Sequence, residues 1–262
     1  MSVVIISADS FCNGEEVAKT VASHLNYKCI GREIMIAEAA QRYSIPKTKL
    51  SEAMNDSSSL LEILSNTQTR HLAYIQAAFL SLLNLDQTVF YGQSEHLFIE
   101  GVSHVLKVRL LADFEERVGL KAEAEDISKK KARESLLKES AARQKRARLF
   151  FSVDDETDPA LFDLVLDVSQ IEPAEAAAAI TEMAKDVKFQ AITYSLKCMK
   201  DIELSCRVRA ALIDSYPDIH ILAKDGNVSI RSKIFKKKKK DKVLAIKKQV
   251  EDMNGVSYME VL

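Results

Sequence analysis

The stretch that decides the fold is Val3-Val4-Ile5-Ile6-Ser7-Ala8-Asp9-Ser10-Phe11-Cys12-Asn13-Gly14-Glu15-Glu16, near the start of a chain of 262 residues. Val3 to Ser7 is a short β-branched run bounded by small and polar residues, the pattern of a fully buried strand. Gly14 to Leu25 follows with Val17, Val21 and Leu25 at helical spacing. Asn13 is a good N-cap and Glu16 stands three residues later, so a capping box is expected. Strand, turn and helix in this order open a parallel α/β unit.

The rest of the chain continues the alternation. Helices are expected at Arg32 to Tyr43, Pro46 to Met54 and His71 to Leu85, with a polar joint at Ser57 to Asn66. Strands are expected at Thr88 to Gly92, His104 to Leu111 and Asp163 to Val168. That order predicts a parallel sheet flanked by helices. Asp113 to Phe151 holds 11 Lys or Arg, 8 Asp or Glu and no Pro, and should form one or two exposed helices. An alanine-rich helix runs from Pro173 towards Tyr194. From Asp201 the pattern changes to helix (Ile202 to Ser215), two alternating runs joined by Asp225-Gly226-Asn227, a helix from Asp241 and a strand at Val256 to Val261. Asp-Gly between alternating runs signals a hairpin. The expected architecture is a larger α/β domain over residues 1–198 and a small αββαβ domain over 199–262.

Composition narrows the class. With 37 basic and 38 acidic residues, 47% hydrophobic content, 7 Gly and 4 Pro, the chain is neither disordered nor of low complexity. The apolar run at the start is too short for a signal peptide or a membrane span. Cys12, Cys29, Cys198 and Cys206 form no metal-ligand spacing and read as reduced thiols, so a cytoplasmic protein is expected.

A turn between a first strand and a helix is where a phosphate-binding loop sits, but Gly-x-x-x-x-Gly-Lys-Ser/Thr is absent. The wording of residues 2–185 resembles the bacterial cytidylate kinase-like family, a P-loop nucleoside monophosphate kinase fold. That family opens with Ser-Arg-Glu-Tyr-Gly-Ser-Gly-Gly-Arg-Glu, and only Ser7, Gly14 and Glu16 survive here. Arg32 and Glu33 match the next segment, where Gly31 replaces an Asp. Gly92-Gln93-Ser94 stands for Gly-Arg-Gly. Arg143 alone is kept from the family's Asp-Lys-Glu-Arg. Phe150-Phe151-Ser152-Val153-Asp154 and Asp158-Pro159 through Val165 are the most specific matches.

The resemblance implies nucleotide binding through Ser7, Asn13, Gly14, Glu15, Glu16, Arg32, Gly92 and the lid arginines Arg143, Arg146 and Arg148, with ATP and Mg²⁺ as cofactors. Phosphoryl transfer rests on positioning and charge neutralisation. One Gly where the family has three, and Glu15 where it has a cation, point to weakened or lost phosphate binding and to a degenerate sensor or scaffold. An active (d)CMP-type kinase is the alternative. Lys145 to Arg148 shows no aromatic interleaving, so nucleic acid is not expected as a partner. The five histidines have no partner readable from the sequence and are taken as structural or surface residues.

Residues 201–262 resemble a BON domain, on Asp201-Ile202-Glu203-Leu204, Val208, Ala211-Leu212, Asp225 to Val228 and Gly255 to Met259. The resemblance implies phospholipid or partner-protein binding. Between Lys233 and Lys248 stand nine Lys and one Asp. The run Lys236, Lys237, Lys238, Lys239 and Lys240 is therefore a candidate for an anionic lipid or a polyanion, which gives a third reading as a peripheral membrane adaptor.

Overall fold

The computed structural model describes residues 2–55, 66–84, 87–232 and 239–262, without the side chains of residues 239, 240 and 242. It contains two compact units, residues 1–34 with 85–192, and residues 35–84 with 193–262.

The first unit is built on β1 (Val3–Ala8), β2 (Lys28–Gly31), β3 (Thr88–Gly92), β4 (Val105–Leu111) and β5 (Leu164–Asp167). They form one parallel sheet in the order β2-β3-β1-β4-β5. All six residues of β1 are buried, as a strand covered on both faces requires. Helix α1 (Gly14–Leu25) lays Val17, Ala18, Val21 and Ala22 into the core with Ile6 and Val108. Helices α2 (Arg32–Tyr43), α3 (Lys47–Asn55) and α4 (Thr67–Leu83) come between β2 and β3 in the chain and fall, from Met35 on, in the second unit, whereas α5 (Phe114–Ala124), α6 (Lys129–Arg146) and α7 (Pro173–Lys185) belong to the first. The charged segment thus forms two helices, α5 and α6, and α6 runs into a π-helical turn, Ala147–Phe151.

The second unit contains α8 (Thr193–Leu212), β6 (His220–Lys224), β7 (Asn227–Arg231), α9 (Lys239–Val250) and β8 (Tyr258–Val261). Strand β7 pairs antiparallel with β6 and parallel with β8. Asp225 (φ 50°) and Gly226 (φ 80°) make the two-residue turn between β6 and β7, both in the left-handed conformation the hairpin needs. The αββαβ order is as expected.

Two helix bounds differ from expectation. The alanine-rich helix ends at Lys185, because Asp186 leaves helical geometry (ψ 143°) and its carboxylate accepts the Lys188 amide at 2.8 Å, starting a 3₁₀ turn. The next helix starts at Thr193 rather than Ile202, so residue 198 falls inside α8. Each packing unit is assembled from two separate stretches of chain. Ala73, Tyr74 and Ala77 of α4 share a core with Leu204, Val208, Ile230 and Ile246, which draws residues 35–84 into the second unit. Residues 57–65 of the expected joint, and Lys236, Lys237 and Lys238 of the lysine run, lie outside the described residues. Among the described residues no helix is long and apolar enough to cross a membrane.

Candidate functional site

The site forms where β1 ends and α1 begins. The chain turns sharply there, with Phe11 (φ 65°) and Asn13 (φ 50°) in the left-handed region. Asn13 was the expected N-cap, but its side chain makes no capping bond; only its carbonyl engages the helix, accepting the Val17 amide at 3.1 Å. An N-cap side chain needs extended backbone, which φ 50° does not provide. No capping box forms. Gly14 is required for close approach: a Cβ there would lie 2.6 Å from the Ala8 Cβ. The glycine that survives from the motif thus lets helix meet strand.

Asp9 follows β1 directly and sits among three guanidinium groups. Arg143 Nη2 is 2.6 Å from its carboxylate, Arg109 Nη2 2.9 Å and Arg117 Nη1 3.2 Å. Burial alone would raise the Asp9 carboxyl, but the charges of Arg109, Arg143 and Arg117 outweigh it and hold it below its ordinary value. Arg143 also donates through Nε to Glu156 at 2.7 Å, and the Ser94 hydroxyl bonds the same carboxylate. A second centre lies beside the first. Glu95 is fully buried, takes Arg32 Nε at 2.9 Å and accepts the backbone amides of Gln93 at 2.6 Å and Ser94 at 3.0 Å. Its burial penalty is exceeded by Arg32 and these amides, so its carboxyl also stays low. Burial, then the Arg32 charge, push the guanidinium of Arg146 down to about 10.

The loop is fastened to the helical pair α5–α6. The Ser10 hydroxyl donates to Glu139 at 3.0 Å, and Arg117 Nε donates to the Ser10 carbonyl at 2.9 Å. Phe11 packs against the small core of Val118, Ala132 and Leu136, with the Lys121 ammonium 5.4 Å from its ring centre. Asp9, Ser10 and Phe11 therefore each contact α5 or α6.

The residues singled out from the sequence divide into groups. Asn13, Gly14, Glu15, Arg32 and Gly92 line one cavity of about 340 Å³ with Tyr91 and Gln93. Glu15 faces Lys19 at 2.7 Å on the exposed side of α1. Glu16 is exposed, its carbonyl accepting the Thr20 hydroxyl at 3.0 Å. Gly92 leaves the space taken by the Glu95 carboxylate and the Phe90 ring. Ser7 is buried, its hydroxyl 2.9 Å from His96 Nδ1. His96, which showed no partner in the sequence, is pushed down to about 3, first by burial and then by Lys107. Arg143 and Arg146 are buried, whereas Arg148 is exposed and donates to the Asp154 carbonyl at 3.2 Å. Asp9, Glu95, Arg109 and Glu156 are not among the residues that the sequence singles out, and Arg117 stands there only as part of the family-like segment Glu115-Glu116-Arg117. Their signal is distributed over residues up to 147 positions apart and becomes visible only when the fold assembles them.

Among the described residues no group of three or more His, Cys, Asp or Glu is placed to hold a metal.

A family model described as the cytidylate kinase-like family matches residues 3–170, and the chain belongs to that family. No curated protein matches the chain. Among solved structures, an uncharacterized protein from Eubacterium ventriosum is similar at 15% identity, over 71% of this chain and 99% of that one, with a TM-score of 0.53; this likeness extends to the fold. A shikimate kinase from Bacteroides thetaiotaomicron (10% identity, 71% and 99% covered, TM-score 0.44) and a dephospho-CoA kinase from Campylobacter jejuni (14%, 70% and 97%, 0.40) are more distant.

Proposed function

We propose that this kinase-like protein has lost phosphoryl transfer and acts as a nucleotide sensor or scaffold, coupled to a BON-like ligand- or partner-binding module over residues 199–262. The observation that carries the reading is the eroded loop, with Glu15 where the family has a cation and Gly14 alone where it has three glycines, closed by an Asp9 carboxylate that Arg109, Arg117 and Arg143 hold. Arg109, Arg117 and Arg143 are engaged by Asp9, at a position where the family also has an acidic residue, and the loop adds no cation to them. ATP with Mg²⁺ fits these residues poorly. Binding would place about four negative charges beside Glu15 and compete with Asp9, and the loop offers no Lys or Arg of its own. No step of a transfer reaction is therefore assigned.

Weak anion binding fits the remaining donors. Five guanidinium groups (Arg32, Arg109, Arg117, Arg143 and Arg146) stand against three carboxylates (Asp9, Glu95 and Glu156). Arg109 Nε and Arg32 Nη2 are buried without a partner among the described residues. A sensor that binds nucleotide weakly and without Mg²⁺ suits that surplus better than a catalyst.

The αββαβ order and the mixed three-stranded sheet support the BON-like reading of the C-terminal segment. The lysine run supports an anionic lipid or polyanion only through its sequence. Calorimetric titration of ATP and of CMP into the full chain, with and without Mg²⁺, tests the proposal. It expects binding that is weak and unchanged by Mg²⁺. Tight, Mg²⁺-dependent binding of ATP would favour the active kinase instead.

A further inference from the structure

The parallel strands place the loop at the carboxyl end of the sheet. At the opposite end lies a second cavity of about 350 Å³, lined by the segment before β4, the start of β4, Asp163 and the 3₁₀ turn at Val187–Phe189. Its walls are largely apolar: Ile99, Val102, Val105 and Phe189 are all buried side chains. Apolar walls with a few placed polar groups are the usual make-up of a small-molecule site.

Lys107 is the unusual group in it. The residue is half-buried, yet among the described residues its ammonium has neither a hydrogen bond nor an ion pair; its backbone is engaged, the amide donating to Asp163 Oδ2 at 3.1 Å and the carbonyl accepting the Asp163 amide at 2.8 Å. Asp163 is the one carboxylate in the lining, and both its oxygens are used. Oδ1 takes Lys188 Nζ at 3.1 Å, and that ammonium also lies 4.8 Å from the Phe189 ring centre. Glu100 and Asp163 attract Lys107 only from a distance, and burial lowers the affinity of its amine for the proton. Lys188 is thus paired with Asp163, and Lys107 is the ammonium in the lining without a partner among the described residues. A half-buried ammonium with unused donors can meet an anion that enters the cavity.

We propose that this cavity binds a small monocarboxylic acid with a compact apolar body, the carboxylate on Lys107 and the body against Val102, Ile99 and Phe189. One unpaired ammonium matches a monoanion, whereas a phosphate dianion would carry a second charge into apolar walls. The site is separate from the loop and does not depend on the loop's loss of phosphate chemistry.

The test is titration of the full chain with sodium benzoate and sodium hexanoate, beside benzyl alcohol and hexanol, followed by calorimetry or amide chemical shifts. The acids should bind saturably and at least tenfold more tightly than the alcohols. Lys107→Met, which keeps the apolar stem, should weaken them at least tenfold. Lys188→Ala should weaken them less, since Lys188 is already paired. Equal binding of acid and alcohol, unchanged binding by Lys107→Met, or no saturable binding overturns the proposal. Should Lys107→Met fail to fold, wild-type protein supplies the measurement. Benzoate should slow acetylation of Lys107 by acetic anhydride at least threefold by mass spectrometry, and no protection overturns the proposal.

Discussion

Asp9→Asn isolates the counter-ion at the centre of the site. The substitution keeps the size of the side chain and removes its charge. Of the groups that meet there, Arg109, Arg117 and Arg143 against Asp9 and Glu156, the balance moves from one surplus positive charge to two. Asp9 is 12% exposed and Arg109 and Arg143 are 3% and 5%, so solvent screens little of this. Removing one partner of a buried ion pair costs about 3–5 kcal/mol. Asn retains part of the hydrogen bonding, so the expected loss at pH 7 is at the lower end, about 3 kcal/mol. At about 2–4 °C per kcal/mol for a protein of this size, Tm should fall by about 6–12 °C. The freed arginines should then accept an external anion. If inorganic phosphate binds the variant with a Kd of about 1 mM, 10 mM phosphate restores about 1.4 kcal/mol. Urea denaturation of wild type and variant, with and without phosphate, measures both effects. A loss below about 0.5 kcal/mol, or equal stabilisation of both proteins by phosphate, refutes the counter-ion role of Asp9.

Stability should fall as the pH drops below about 6.5, because the unfolded chain binds a proton on His96 there while the folded chain resists until about 3. The limiting slope from this one group is about 1.4 kcal/mol per pH unit, and denaturation of His96→Gln between pH 6.5 and about 5.5, above the ordinary values at which Asp9 and Glu95 titrate in the unfolded chain, should show a flatter profile. Gly14→Ala should destabilise by about 1–3 kcal/mol through overpacking against Ala8, and Ala8→Gly in the same chain should recover most of it in thermal melts. The double substitution Asn13→Gly with Glu15→Arg should raise ATP affinity by calorimetry. If affinity stays flat, the loop does not hold the phosphates.

Much of the fold was legible because it rests on local patterns. The β-branched run of β1, the 3.6-residue spacing in α1 and the Asp225-Gly226 turn each report on neighbours within a few residues. The domain division was less legible. Leu72, Tyr74 and Phe79 mark α4 as a buried helix, but nothing in their spacing says that Tyr74 meets Asp214, 140 residues later, at 2.9 Å. At the site, the erosion of the motif was legible and its consequence was only half so. Replacement of the loop cation by Glu15 is plain in the sequence, yet Glu15 turns out to be exposed and paired with Lys19. The group that meets the arginines is Asp9, an acidic residue where the family also has one. Its meaning depends on Arg109, Arg117 and Arg143, which arrive from β4, α5 and α6. Asn13 likewise looked like a cap by residue type. The tight turn demanded by Gly14 against Ala8 places it in a conformation from which its side chain does not cap.

The most direct test of the account is transfer of the labelled γ-phosphate of ATP to CMP by the purified full chain in Mg²⁺, with the product separated and counted. The account predicts no product above the enzyme-free background. Turnover within the ~1–100 s⁻¹ usual for kinases would show that the Asp9–arginine network opens to admit substrate and would contradict the loss of phosphoryl transfer.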